Sequence, residues 1–213
     1  MKEDGFVKLS TKRYARIVDN EIDQEISIYV QSSLRREYII QYGSILLAVP
    51  RESFDLTLGG DFKKGTSGGS YGAQNADMLE KSIDRARRAY LEEVRPALSN
   101  SITVEGYIKE YKDLLKRDIS VNKSGHGDFK LACAYSLLNN TSSALYHCEQ
   151  AIIKYKAIYI ERSVAVWADE GIKNAQFLKE SLNNNLHHTL LSTWKDATVN
   201  NLGLARLRSS KAI

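Results

Sequence analysis

Glu25-Ile26-Ser27-Ile28-Tyr29-Val30 decides the fold class. Ile26, Ile28 and Val30 alternate with Glu25, Ser27 and Tyr29. A period of two marks a half-buried strand, because successive side chains point to opposite faces. Upstream, Tyr14 to Val18 is short and rich in strand formers. Downstream, Ser32-Ser33 opens a turn, and Tyr38, Ile40 and Tyr42 alternate with Ile39 and Gln41. That run continues to Val49, where Pro50 stops it for want of a ladder donor. Phe54, Leu56 and Leu58 then alternate with Asp55 and Thr57. Strands in succession with short connections predict an antiparallel meander over residues 12–60. Gly59 to Gly72 reads as a mobile Gly/Ser-rich loop.

Helical spacing takes over beyond it. Leu79, Ile83, Ala86, Tyr90 and Val94 predict one apolar face, ended by Pro96. Thr103 is the expected N-cap of a second helix, with Ile102 and Tyr107 as a hydrophobic staple and a face of Val104, Tyr107, Ile108, Tyr111 and Leu115. Asp118 to Gly127 is polar and turn-rich, which predicts a boundary between an α+β domain over 1–118 and a helical region over 128–213. There, Asp128 is the expected cap of a helix carrying Leu131, Ala134, Tyr135 and Leu138, broken at Asn139-Asn140. A further helix presents Ala144, Leu145, Cys148, Ile152 and Tyr155. Ile160, Val164, Trp167, Gly171, Ala175, Leu178 and Leu182 predict one long stripe. A last helix carries Leu186, Leu190, Trp194 and Ala197, and the tail from about Asn200 is expected to fray. The expected fold is thus α+β: an N-terminal antiparallel meander packed by helices, then an all-helical region.

The bulk composition bounds the function. The chain has 213 residues, 43% hydrophobic and 26% charged, enough to bury a core without staples. Its formal charge of +4 arises after residue 97, and Arg206, Arg208 and Lys211 in the tail supply most of it. Such placement speaks against a nucleic-acid surface. Cys133 and Cys148 sit in apolar helical patterns, which fits free thiols in a reducing, cytoplasmic setting. The charged start at Met1 to Asp4 is followed by no signal-like apolar region, and no run approaches the ~20 residues of a membrane span.

Candidate sites are few. The glycine loop with Lys63 and Lys64 precedes a helix, as phosphate-cradling loops do, but neither nucleotide-binding glycine pattern is present. His126, His147, His187 and His188 show no metal-ligand spacing, so surface or capping roles are expected. Adjacent His187 and His188 point about 100° apart on a helix. No Gly-x-Ser-x-Gly elbow occurs. Arg85, Arg87 and Arg88 could join Arg35 and Arg36 in an anion patch, with a solvated helix face as the plainer reading. Trp167 and Trp194 read as core. No catalytic, cofactor-binding or metal-binding residue is expected, and the residues that would bind a partner are not legible.

Two resemblances add to this. Leu131-Ala132-Cys133-Ala134-Tyr135-Ser136-Leu137-Leu138-Asn139, followed by Ala144-Leu145 and Ala151-Ile152, resembles one tetratricopeptide-type helical hairpin, which implies protein or peptide binding. Gly5-Phe6-Val7-Lys8, Tyr14-Ala15-Arg16, the Gln24-to-Val30 strand, Tyr38-to-Gly43 and Arg95-Pro96-Ala97-Leu98 are similar to a bacterial domain-of-unknown-function family, number 4304, over roughly residues 5–115. Members of that family typically begin with a helix before the Gly-Phe, which puts a complete N-terminal layer here in question. The resemblance implies an accessory or immunity protein of bacterial conflict systems. The leading expectation is therefore a cytoplasmic immunity protein that occludes a cognate toxin's active site. The alternatives are an adaptor using the C-terminal hairpin and, third, a nucleotide-handling enzyme at the glycine loop.

Overall fold

The computed structural model describes residues 1–32, 34, 36–51, 58–62, 70–118, 122–161 and 166–209. Among them, six strands form one sheet: β1 (Val7–Lys8), β2 (Arg13–Val18), β3 (Ile22–Ser32), β4 (Glu37–Leu46), β5 (Leu58–Asp61) and β6 (Tyr71–Gly72). β1 to β5 lie in sequence order, and β6 pairs with the start of β4 through Glu37↔Gly72 and Tyr38↔Tyr71. The expected meander is present. The β2–β3 hairpin is closed by Asp19 and Asn20, both at positive φ (53° and 56°), with Glu21 N–H on the Val18 carbonyl at 3.2 Å. Two left-handed residues make the hairpin twist that right-twisted strands need, and Asp and Asn tolerate it.

The glycine stretch is partly strand. Gly59 and Gly60 pair with Gly43 and Tyr42 on β4, and a Cβ at Gly59 would stand 2.0 Å from the Tyr42 carbonyl oxygen. The glycine there permits close strand approach. Residues 63–69, with Lys63 and Lys64, and the expected strand residues Phe54 and Leu56 lie outside the described residues.

Contacts divide the chain into two units. The first comprises residues 1–45, 53–103 and 202–213. Its core is Phe6, Ile26, Phe62, Tyr71, Ala89, Tyr90, Val94 and Leu98, with Tyr14, Ile40 and Tyr42 packed against it. One sheet face is thereby covered by α1 (Ala76–Ala89), a π-turn over Tyr90–Val94, and α2 (Arg95–Ser99). Asn75 caps α1 by accepting the Met78 N–H. The buried face of α1 differs from expectation: Leu79 and Ile83 are exposed, while Ser82 and Ala89 are buried. Ser82 Oγ donates to the Gly72 carbonyl at 2.7 Å, so small residues bring the helix against β6. The π-turn then shifts the register, and Pro96 falls inside the first turn of α2 instead of ending the helix; a missing N–H is tolerated there. The tail does not fray at Asn200 as expected: residues 202–209 are folded. Leu202, Leu204 and Leu207 are buried, α8 (Ala205–Ser209) forms, and Arg206 donates to the Leu9 carbonyl at 2.6 Å.

The second unit comprises residues 46–52 and 104–201: α3 (Val104–Arg117), α4 (His126–Leu137), α5 (Thr141–Glu161), α6 (Val166–Asn183) and α7 (His187–Asn201). α3 thus groups with the later helices, unlike the 1–118 and 128–213 division, because Val104, Tyr107, Ile108 and Tyr111 are buried in their company. α4 is buried almost all round, through Leu131, Ala132, Cys133 and Ala134. Asn139 in the left-handed region (φ 56°) turns the chain, and Asn140 caps α5 through Ser143 N–H at 3.1 Å. Ala144, Cys148 and Ala151 are fully buried; such small side chains let helices approach closely.

Two stripes are displaced. Ile160 belongs to α5 and is 82% exposed, and Trp167 is 43% exposed; Val164 lies outside the described residues. From Gly171 to Leu182 the predicted stripe is buried. On α7, Leu186 and Ala197 are exposed, and His187, Leu191, Thr198 and Val199 are buried instead. Thr198 Oγ1 donates to the Val49 carbonyl at 2.9 Å, so a polar contact sets the inward face. β4 ends at Leu46, short of the expected Val49, because the chain turns there, with Val49 N–H on the Leu46 carbonyl at 3.2 Å; Leu46 to Val49 are buried and group with this unit.

Candidate functional site

The helical unit carries a polar and aromatic cluster where α4 starts. Gly125, at φ 78°, is the N-cap, one turn earlier than the expected cap at Asp128. This frees Asp128, in the first turn, to face α5. Its Oδ1 accepts from His147 Nδ1 at 2.8 Å and its Oδ2 from Lys154 Nζ at 2.6 Å. His147 and Lys154 are seven residues apart and so share a helix face. Burial opposes ionisation of Asp128, but the hydrogen bonds from His147 and Lys154 outweigh it and hold its pKa below the usual carboxylate range. A carboxylate accepts, so His147 donates through Nδ1. Tyr135 stacks on the His147 ring at 5.5 Å and 8°, and Lys112 lies 5.1 Å over Tyr135. Asn122 receives Lys154 as well, at 2.8 Å.

Beside this bolt stands a platform. Tyr155 Oη and His126 Nδ1 are 2.9 Å apart. The His126 ring stacks on Trp167 at 5.0 Å and 29°, while Tyr155 meets Trp167 edge-on at 6.3 Å. Tyr155 itself is 1% exposed and lies against Gly171, where a Cβ would stand 2.6 Å from Cζ. Burial raises the Tyr155 pKa, so the phenol keeps its proton. Two apolar residues near Trp167 or Tyr155 in sequence are also open to solvent: Val166, which precedes Trp167, is 78% exposed, and Tyr159, one turn beyond Tyr155, is 44% exposed. A Trp fixed between two ring contacts with one face open is a preorganised binding element, because its rotamer entropy has already been spent.

The sheet unit holds a second cluster. Asp23, Glu25 and Ser27 share one face of β3 and are all buried, although Gln24 and Ile26 on the opposite face are buried too. The expected half-buried strand is buried on both sides at this end and exposed at Tyr29 and Val30. Arg13 clasps Glu25 in a fork, Nε to Oε1 at 2.8 Å and Nη2 to Oε2 at 2.7 Å. Ser27 Oγ also donates to Glu25. Neither oxygen of Asp23 has a hydrogen-bond partner. On the opposite face Gln24 Nε2 donates to the Leu98 carbonyl at 2.7 Å and reaches Ser101.

His126 and His188 are exposed, as expected, whereas His147 and His187 are not. His147 is paired, His126 is stacked, and His187 is 6% exposed with neither ring nitrogen bonded. His188 Nε2 meets Asn139 Oδ1 at 2.8 Å. Among the described residues no group of three or more His, Cys, Asp or Glu side chains could hold a metal ion. Cys133 and Cys148 are buried free thiols, their pKa values raised chiefly by burial. Arg85 turns onto Ser82 and its own helix, Arg87, Arg88 and Arg36 are exposed, and Arg35 lies outside the described residues. Trp194 packs edge-on against Phe129 at 5.9 Å, as a core residue does, whereas Trp167 does not. The Asp128–His147 pair left no sequence signal beyond residue type, since 19 positions separate the two. Among the described residues no helix is long and apolar enough to cross a membrane. Comparison with protein-family models, with curated proteins and with solved structures finds no match.

Proposed function

We propose that this chain is a non-catalytic binding protein whose helical unit seats a protein partner on the His126–Tyr155–Trp167 platform. The observation that carries the reading is the half-open Trp167, held by rings on two sides and preceded by the exposed Val166. Aromatic anchors of this kind dominate binding energy at protein interfaces, and contiguous exposed apolar surface marks such interfaces. The resemblance of the N-terminal half supplies the partner class: a bacterial toxin, neutralised in the cytoplasm by covering its active site. The charge of +4 favours a toxin other than a basic nuclease, which would call for an acidic inhibitor.

Co-expression with the product of the neighbouring gene tests this. The expected result is a stoichiometric complex and protection of the host, with Trp167→Ala weakening the complex by about 30-fold or more. Failure of both complex formation and protection overturns the reading. Binding without protection would leave the adaptor function in its place. In the glycine stretch Gly59 and Gly60 are committed to strand pairing, while Lys63 and Lys64 lie outside the described residues.

A further inference from the structure

The outer face of α5 is apolar and unpartnered, and its charge pattern singles out one occupant. Tyr146, Ile153 and Ile160 recur every seven residues and are 58%, 60% and 82% exposed. Seven residues fall about 20° short of two turns, so the three form a nearly straight stripe on a helix of 21 residues, roughly 30 Å long. The opposite face, Ala144, Cys148, Ala151 and Tyr155, is buried within the unit, so the stripe points away from it. Glu149 and Lys156 lie on one flank of the stripe, four residues before and three after Ile153. Glu149 Oε1 is engaged by Lys179 at 2.9 Å, leaving Oε2, and Lys156 forms no ion pair among the described residues. Ala157, on the other flank, is small enough for a neighbouring helix to come close.

We propose that this face is the seam of a homodimer in which α5 packs antiparallel on α5 of a second copy. A two-fold axis across the helix returns each flank to itself. With the axis beside Ile153, Glu149 of one copy faces Lys156 of the other, twice over. Tyr146 then lies towards Ile160 of the second copy, and the two Ile153 side chains meet at the axis. A parallel pair would set this flank against the opposite one and forfeit both ion pairs. The interface is isologous and therefore closes at two copies. A single helix seam is small for a specific interface, so association in the micromolar range is expected. The inference is independent of the partner reading: Trp167→Ala leaves the dimer intact.

Sedimentation velocity of the full chain, from about 1 to 200 µM, is expected to show a reversible monomer–dimer equilibrium. Ile153→Glu should abolish it with an unchanged circular-dichroism spectrum. Lys156→Glu should weaken it about tenfold, and the Glu149→Lys/Lys156→Glu double variant should restore it. Because Cys133 and Cys148 are buried, engineered thiols report cleanly. Ile153→Cys should cross-link with itself on mild oxidation, whereas Tyr146→Cys and Ile160→Cys should cross-link only when mixed. A chain that stays monomeric throughout, or a dimer indifferent to Ile153→Glu, overturns the proposal. Self-cross-linking at all three positions overturns the antiparallel arrangement.

Discussion

Asp23 and Glu25 stand two residues apart on one face of β3, yet Arg13 clasps Glu25 alone and both oxygens of Asp23 are left without a hydrogen bond. Asp23 is completely buried. Burial, with the Glu25 charge adding to it, raises its pKa well above the ordinary value. The folded state therefore holds a proton that the unfolded chain releases. Stability falls as pH rises from 3.8 through the raised folded value, and the cost is complete above that.

Asp23→Asn is expected to stabilise the protein at neutral pH by about 1–2 kcal/mol, which raises Tm by roughly 2–8 °C for a chain of this size. The amide keeps the shape and carries no charge to bury. Melting curves from pH 4 to 8 check this. The gap between variant and wild type should widen with rising pH; a gap that is constant or reversed refutes the assignment.

Asp128 predicts the opposite slope. Its folded pKa lies below 3.8, so its contribution is complete above 3.8 and is lost as pH falls from there through the folded value. Asp128→Asn should cost about 2–3 kcal/mol at pH 7, because Lys154 loses its counter-charge in a largely buried site. In strong acid the two proteins should converge. Urea midpoints at pH 7 and pH 3 provide the measurement.

The fold class was legible because it rests on periodicity. Strands β2 to β4, the buried faces of α3 and α5 and the break at Asn139 all follow from spacing and residue type. What misled was polarity at the helix–core contacts. Ser82 and Thr198 face inward because each hydroxyl reaches a main-chain carbonyl, while Leu79, Ile83 and Leu186 stay outside. A reading that ranks faces by hydrophobicity rotates α1 and α7 by about one residue. The tail was misread because Leu202, Leu204 and Leu207 are too few for a period. The candidate site was less legible still. Asp128 meets His147, and Trp167 meets His126, only through tertiary packing, and no local pattern encodes either pair.

Gly171→Ala tests the platform. Alanine favours the helix by about 1 kcal/mol over glycine, but its methyl would enter Tyr155 at 2.6 Å from Cζ, and that buried ring has little room to retreat. Overpacking costs about 1–3 kcal/mol, so net destabilisation of about 1 kcal/mol is expected, with a change in Trp167 fluorescence as the rings separate. Adding Tyr155→Leu should recover the loss; a stabilised Gly171→Ala would show that Tyr155 does not rest on that backbone.

His187 makes the last prediction. It is buried in the first turn of α7, with neither ring nitrogen bonded and the His188 ring 4.2 Å away. Burial first, and then His188, lower its pKa below 6.5, and the positive end of the helix dipole acts in the same sense. A lowered histidine value means that stability is complete above 6.5 and is lost as pH falls through 6.5 towards the folded value. His187→Leu should behave like wild type at pH 7.5 and exceed it at pH 5.5, by up to about 1 kcal/mol. Urea unfolding at the two pH values decides it. Equal acid sensitivity in both proteins would place the responsible group elsewhere, and a larger loss in the variant would mean that His187 is protonated and stabilising in the folded state.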